Sequence, residues 1–566
     1  MPRAIVLLLA ALAGPACWTA ASAQDLAVHE FSLDNGMKFL VVERHDSPRV
    51  FGAVMFRVGS VNERPGITGL SHFLEHMMFK GTNVLGITDL EADGMYNGLI
   101  ESTWEEIRRG RVQIEEQTRK GLAVPEGLTR RVAAWTEFYE QLSKDQKAII
   151  VKDDLWERYM RNGGTSLNAS TGEDSTQYFV EVPANKIELF FWQESDRMTN
   201  TVWREFYSER EVVKEERRLR VESTPTGRIN EAFEAMFWEA HPYSWPVIGW
   251  MSDIDNFTPA DLEEHYRTYY APNNAIAVLV GDVDPKRAEE LAKQYFAGIP
   301  RGAKAPPPVA TKEPEQVGER RMAAEADAQP SIQVQWHTVA ARHADEPALS
   351  VLEGVLKGKS GRLYKRLVLD KQIALEAGAQ IDHRRWAGAF AITAKPKDDA
   401  DPAEVEREAL AVLEELKAQP PTAEEVQKAK NQILARMVQF MRSNMGMAFI
   451  VGRSELSGSW RDVKAQLEAV QKITPEEVSA VAKKYLTAQG RNTLWIRRKG
   501  ADPNVDPETA MVEKALNRIK GMWNDIKDPA MRQTILEQAR QRLAEVKNPE
   551  LRKKAEDTLN ELEKQQ

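Results

Sequence analysis

Gly69-Leu70-Ser71-His72-Phe73-Leu74-Glu75-His76-Met77-Met78-Phe79-Lys80-Gly81-Thr82 sets two histidines and a glutamate in a short apolar stretch. On an α-helix His72 and His76 stand one turn apart on the same face, because residues four apart are stacked neighbours. Two imidazoles so placed can converge on one metal ion. Glu75 lies beside them, where a carboxylate can act as general base toward an attacking water, its role in the pattern H-x-x-E-H. With 9 His in 566 residues, chance gives this pattern on the order of once per hundred such chains. The bland alternative is an ordinary helix with core or solvent-facing histidines. Phe73, Leu74, Met77, Met78 and Phe79 make the stretch apolar, and polar groups on such a helix need partners. A metal supplies one.

Ser71 to Thr82 resembles the active-site helix of the pitrilysin-like zinc peptidases, the family of mitochondrial processing peptidase and insulysin. The likeness extends through most of residues 27–500. It implies an α+β chain of two homologous domains, each a largely antiparallel sheet packed with helices, with one Zn²⁺ per chain.

The N-terminus reads as a processing segment. Arg3 gives a basic start, Ile5 to Ala13 an apolar core, and Ala21-Ser22-Ala23 before Gln24 the small-residue pattern of signal peptidase. Residues 1–23 are therefore expected to be a signal peptide and the mature chain periplasmic. The only cysteine, Cys17, falls inside this leader, which leaves no thiol for a disulfide. Tethering through a lipidated Cys17 is the alternative, and Gly14-Pro15-Ala16 is a poor lipobox. No later run is long and apolar enough to span a bilayer, so no integral membrane segment is expected. The length suggests several domains. With 76 Lys+Arg against 85 Asp+Glu and both signs interspersed, the balance argues against nucleic acid as a partner.

Residues 24–300 read as the catalytic domain. His29 to Glu43 alternates around Asp34-Asn35-Gly36, a hairpin signal, and Val50 to Val58 reads as the next strand. Strands and then helices, without strict alternation, give the α+β class. From about 86 to 163 the pattern turns helical and charged. Trp104, Ile107, Arg111 and Ile114 form one run; Val132, Trp135, Phe138, Tyr139 and Leu142 form another, after a break at Pro125. This is read as an inserted helical hairpin and a solvated elaboration, rather than a substrate-gating or partner-docking arm. Leu167-Asn168-Ala169-Ser170 returns to the family pattern. The resemblance implies that these four lie on the sheet edge beside the metal and bind substrate by adding it as a strand.

In Ser208 to Arg218, Glu209, Val212, Val213 and Glu216 fall at helical spacing, so the two glutamates share a face with the valines. By itself this also reads as a salt-bridged surface helix. The resemblance places the third metal ligand at Glu216 and a supporting acid at Glu209. His241 and His265 are set aside as ligands, because a catalytic zinc keeps its fourth position open.

Residues 301–320, with Pro306-Pro307-Pro308, read as a linker. In 321–500 the order recurs: strand Ile332 to His337, helix Leu349 to Leu356, strand Phe390 to Ala394, then a Thr474-Pro475 helix before the strand Thr493 to Arg497. The helix matching Leu70 to Met77 carries no His pair, so this half is expected to be non-catalytic. Residues 501–566 read as a helical extension packed on the second domain.

The resulting expectation is a zinc endopeptidase acting on peptides or unfolded segments, with His72, His76 and Glu216 on the metal and Glu75 as base. A catalytically silent assembly subunit and another zinc amide hydrolase are the alternatives. In relatives the opposite half carries an Arg and a Tyr that contact substrate. Here Val368 and Leu375 stand at those positions, which implies a dimer with a metal-free homologue bearing the pair, or else a homodimer.

Overall fold

The hairpin around Asn35 sets the edge of the first sheet. The structure is a computed structural model that describes residues 26–564 apart from 399, 500–506, 524–525, 527–528, 545 and 547. The expected leader, with Cys17, lies outside the described residues. β1 (Val28–Ser32) pairs antiparallel with β2 (Lys38–Glu43), and Gly36 between them takes φ +90°, a conformation that favours glycine. β3 (Arg49–Phe56), β4 (Thr165–Thr171), β5 (Thr176–Pro183) and β6 (Ala275–Gly281) complete six strands in the order β1-β2-β6-β3-β5-β4. Only β2 and β6 run parallel. β4 is the outermost strand, paired to β5 alone.

α1 (Leu70–Met77) buries Leu70, Phe73, Leu74 and Met77 on this sheet's core. Its start is fixed by a close approach. Gly69 has φ +91°, and a Cβ there would meet the Ile248 carbonyl oxygen at 2.4 Å. The inserted region forms α2 (Leu90–Arg119) and α3 (Glu126–Lys147), followed by α4 (Asp154–Arg161), α5 (Ile187–Thr199), α6 (Phe206–Arg217) and α7 (Gly227–Phe237). The hairpin is less solvated than its charge suggests. Trp104 of α2 stacks on Tyr207 of α6 at 4.4 Å, with the Arg210 guanidinium 4.6 Å from the Trp104 ring. At its base Asp93 and Arg204 form a fully buried ion pair at 2.9 Å, and Gln146 donates to the other Asp93 oxygen.

The second sheet contains β7 (Arg320–Ala326), β8 (Ser331–Thr338), β9 (Ala374–His383), β10 (Gly388–Pro396) and β11 (Asn492–Arg498), in the order β7-β11-β8-β10-β9. Strand for strand this repeats β2-β6-β3-β5-β4, including one parallel pair, here β7 with β11. The helix Glu346–Leu356 follows β8 as α1 follows β3, and it has no histidine.

The two halves cover each other's sheets. Ala448, Phe449, Val451 and Leu456 of the helix Asn444–Ser457 pack on Phe51, Met55, Val278 and Val280 of the first sheet. In return Phe233 of α7 packs with Ala326, Leu494 and Ile496 of the second. The helices Pro507–Trp523, Pro529–Leu543 and Pro549–Glu563 differ from expectation. Val512, Trp523, Leu536, Leu551 and Leu559 form a core of their own, so among the described residues their apolar faces meet one another rather than the second domain.

Candidate metal centre

α1 sets the rings of His72 and His76 edge to face, with centroids 4.8 Å apart. α6 runs past it and presents Glu209 and Glu216, two turns apart and therefore on one face. Val213 is buried between them, whereas Val212 is half exposed. The face is thus Glu209, Val213 and Glu216, and the expected place of Val212 on it is corrected. Glu216 Oε2 lies 3.8 Å from His72 Nε2 and 3.4 Å from His76 Nε2. The three ligand atoms lie within 4.8 Å of one another, and no other such group occurs among the described residues.

These residues fit a zinc ion. Ligands about 2.0–2.1 Å from a tetrahedral zinc stand roughly 3.3–3.5 Å apart; the Glu216–His76 spacing of 3.4 Å matches this and the Glu216–His72 spacing of 3.8 Å is wider. Both Nε2 atoms lie within reach of the same Glu216 oxygen. His76 Nδ1 is 2.8 Å from Glu209 Oε1, the carboxylate–histidine arrangement that fixes the tautomer of a metal-binding imidazole. His72 Nδ1 is buried with no hydrogen-bond partner among the described residues. Burial and the neighbouring His76 hold the His72 imidazole below its usual pKa range. Burial also disfavours charge on His76, but its bonds to Glu209 and Glu216 outweigh this and raise it.

Three partners escaped the sequence reading. Thr171 at the end of β4 donates to Glu75 Oε2 at 2.5 Å. Burial raises the Glu75 carboxyl, opposed by that bond. Lys80 reaches Glu209 Oε2 at 2.5 Å, and Arg220, in a π-turn after α6, reaches Glu216 Oε1 at 2.7 Å. Glu63 accepts from the Gly69 and Ser71 N–H groups, both at 2.7 Å, and so caps α1. Burial pushes its pKa up to about 8, against the two bonds that favour its charged form.

A cleft of about 910 Å³ opens beside Glu75 and His76. Asn168 of the edge strand lines it, whereas Leu167 and Ala169 are buried and Ser170 accepts from Gln177. Of the four expected substrate-binding residues, Asn168 alone offers its side chain to the cleft; the others can offer main chain. His241 accepts from the Tyr243 N–H, and His265 meets Ser71, both apart from the metal cluster. Arg362 and Arg366, the arginines nearest Val368 in the chain and the candidates to replace the Arg expected there, are engaged, by Glu425 and by Glu408 with Glu415.

Residues 38–90, which hold α1, match a family model described as insulinase (peptidase family M16), and residues 256–433 match one described as the peptidase M16 inactive domain. The zinc protease PqqE of Helicobacter pylori is 29% identical over 434 residues, 75% of this chain and 82% of that protein. Among solved structures, a protease from Helicobacter pylori superposes with TM-score 0.68 at 25% identity, covering 83% of this chain and 99% of that one. The periplasmic protease PqqL from Escherichia coli gives TM-score 0.61 at 17% identity, covering 83% of this chain but 47% of its own.

Proposed function

We propose, from the premise that this chain belongs to the M16 family of insulinase-like peptidases, that it is a zinc-dependent endopeptidase of the periplasm acting on extended peptides or unfolded segments. The observation that carries the reading is the convergence of His72, His76 and Glu216, with His76 and Glu75 lining a cleft bounded by an unpaired strand edge. His72, His76 and Glu216 would hold the ion. Zinc bound there supplies Lewis acidity toward a scissile carbonyl and toward water.

The chain's own residues do the rest. Glu75, its carboxyl raised by burial, takes a proton from the attacking water and returns it to the leaving amine, the task of a base with a pKa shifted toward neutrality. Thr171 holds one of its oxygens and so orients the other. The free edge of β4 pairs with the substrate main chain, which is tolerant of sequence. Glu209, anchored by Lys80, keeps the His76 Nε2 turned inward. A silent assembly subunit finds its support in the inactive-domain match, but that stretch, 256–433, excludes all of these residues.

Val368 and Leu375 stand where relatives carry Arg and Tyr, and the nearby Arg362 and Arg366 are already paired. We therefore place a metal-free homologue bearing that pair as the partner, with a homodimer as the alternative. The chain covers 47% of PqqL, in keeping with a unit that is half of a larger enclosure.

Metal analysis and peptide digestion of three variants test the site. Glu75→Gln is expected to keep near-stoichiometric zinc and lose turnover, Glu216→Gln to lose zinc, and Glu209→Gln to keep most zinc with lowered activity. An active Glu75→Gln removes the base. Loss of zinc from the Glu209 variant alone exchanges the roles assigned on α6.

A further inference from the structure

One wall of the cleft is built by the chain returning from the inserted hairpin, from Lys147 at the end of α3 to Trp156 in α4. It is tied down at several points. The Val151 N–H donates to the Gly86 carbonyl and the Thr88 N–H to the Ile149 carbonyl, both at 3.0 Å. Asp154 accepts from the Gly86 N–H at 3.1 Å and holds Arg158 through two further bonds. On the inner face of α4, Leu155 is 2% exposed and Tyr159 fully buried, its hydroxyl donating to Glu194. The segment is a fixed lip and not a swinging arm.

Its outward residues do not suit a solvated role. Val151 is 39% and Trp156 44% exposed, and both border the same cleft as Glu75, His76 and Asn168. Single apolar residues on a convex surface need no explanation. A Val and a Trp on a rigid concave wall, facing the site where a peptide would lie, give apolar contact area that only a bound group can cover.

We infer that Val151 and Trp156 form a specificity-determining subsite of this cleft, which receives a large apolar side chain of the bound peptide. The inference rests on the reading of the cleft as a peptidase site. It gives the insertion a function in selection: β4 holds main chain without regard to sequence, and the lip supplies the discrimination that an edge strand lacks. Removing one partner from an apolar contact of this kind changes discrimination by about ten-fold.

The test separates binding from turnover. Short unstructured fluorescein-labelled peptides, identical but for Leu, Phe, Ser or Asp at one position, are titrated by anisotropy against zinc-loaded Glu75→Gln protein. The same series is offered to the wild type for cleavage. The Leu and Phe peptides are expected to bind about ten-fold tighter than the Ser peptide. Adding Trp156→Ala, or Val151→Ser, should cut that ratio to under about two-fold with melting temperature and zinc content unchanged, whereas Val112→Ser, exposed on α2, should leave it intact. The subsite is overturned if the parent binds no peptide, if it shows no apolar preference, or if the preference survives both lip variants. A preference lost with Trp156 while the wild type cleaves nothing upholds the subsite and removes the peptidase reading. Cleavage with a selectivity that ignores the lip does the reverse.

Discussion

His265 is buried, with Nε2 3.1 Å from the Ser71 hydroxyl on α1, and burial pushes its pKa down to about 3. In the unfolded chain the same imidazole takes up a proton near pH 6.5. Between these values the unfolded state binds more protons, so stability contributed by the neutral ring is full above about pH 6.5 and falls as the pH drops, by about 1.4 kcal/mol per unit. Urea unfolding of wild type and His265→Gln at pH 7, 6 and 5 should give curves that converge as the pH falls. Parallel curves would show that this ring titrates alike in both states. The residues of the metal cluster were legible where one helix carried the information. His72, Glu75 and His76 lie within little more than one turn; Glu209 and Glu216 share a face through Val213, but that spacing equally fits a salt-bridged surface helix, and their place beside the histidines came from the family resemblance. Thr171 was not legible, because its meeting with Glu75 depends on how the end of β4 lies against α1 across 96 residues of chain, and no local spacing encodes that.

At the scale of elements, the inserted hairpin was readable as two helices from its apolar period, and its charge hid what its inner face does. Trp104 and the buried Asp93–Arg204 pair bind it to α6 and to the loop after α1. Arg204 also donates to the Lys80, Leu85 and Thr82 carbonyls. Asp93→Ala would leave a guanidinium with no exposure and no counter-charge, a change that costs about 3–5 kcal/mol, whereas replacing both partners by apolar residues costs far less. Denaturant midpoints of Asp93→Ala and Asp93→Leu/Arg204→Met should differ in that order; equal losses would mean that the pair is not the anchor. Two strands of the second sheet were missed for a compositional reason. β7, Arg320–Ala326, alternates in burial but holds no β-branched or aromatic residue, and β9 is rich in Ala, with Ile381 its single β-branched residue. Their strand character comes from pairing with β11 and β10, a tertiary override of weak local preference.

Across the whole molecule the repeat was visible in sequence order, but the exchange of covering helices was not, since it joins residues hundreds of positions apart. The helix Asn444–Ser457 closes the first sheet and α7 closes the second. Lys38 pairs with Glu455, and Trp460 with Arg461 holds Glu30 across the same joint. The linker adds a clasp, Glu313 accepting from the N–H groups of Glu239, Ala240 and His241. A protease site placed in the exposed stretch before Val309 and then cut should give two fragments that elute together from gel filtration and part only in denaturant; separation in native buffer would contradict the exchange. The peptide bond between the halves is then a convenience of synthesis: each half is capped by a piece of the other, so what makes them one object is mutual occupancy, and two separately translated genes could encode the same particle.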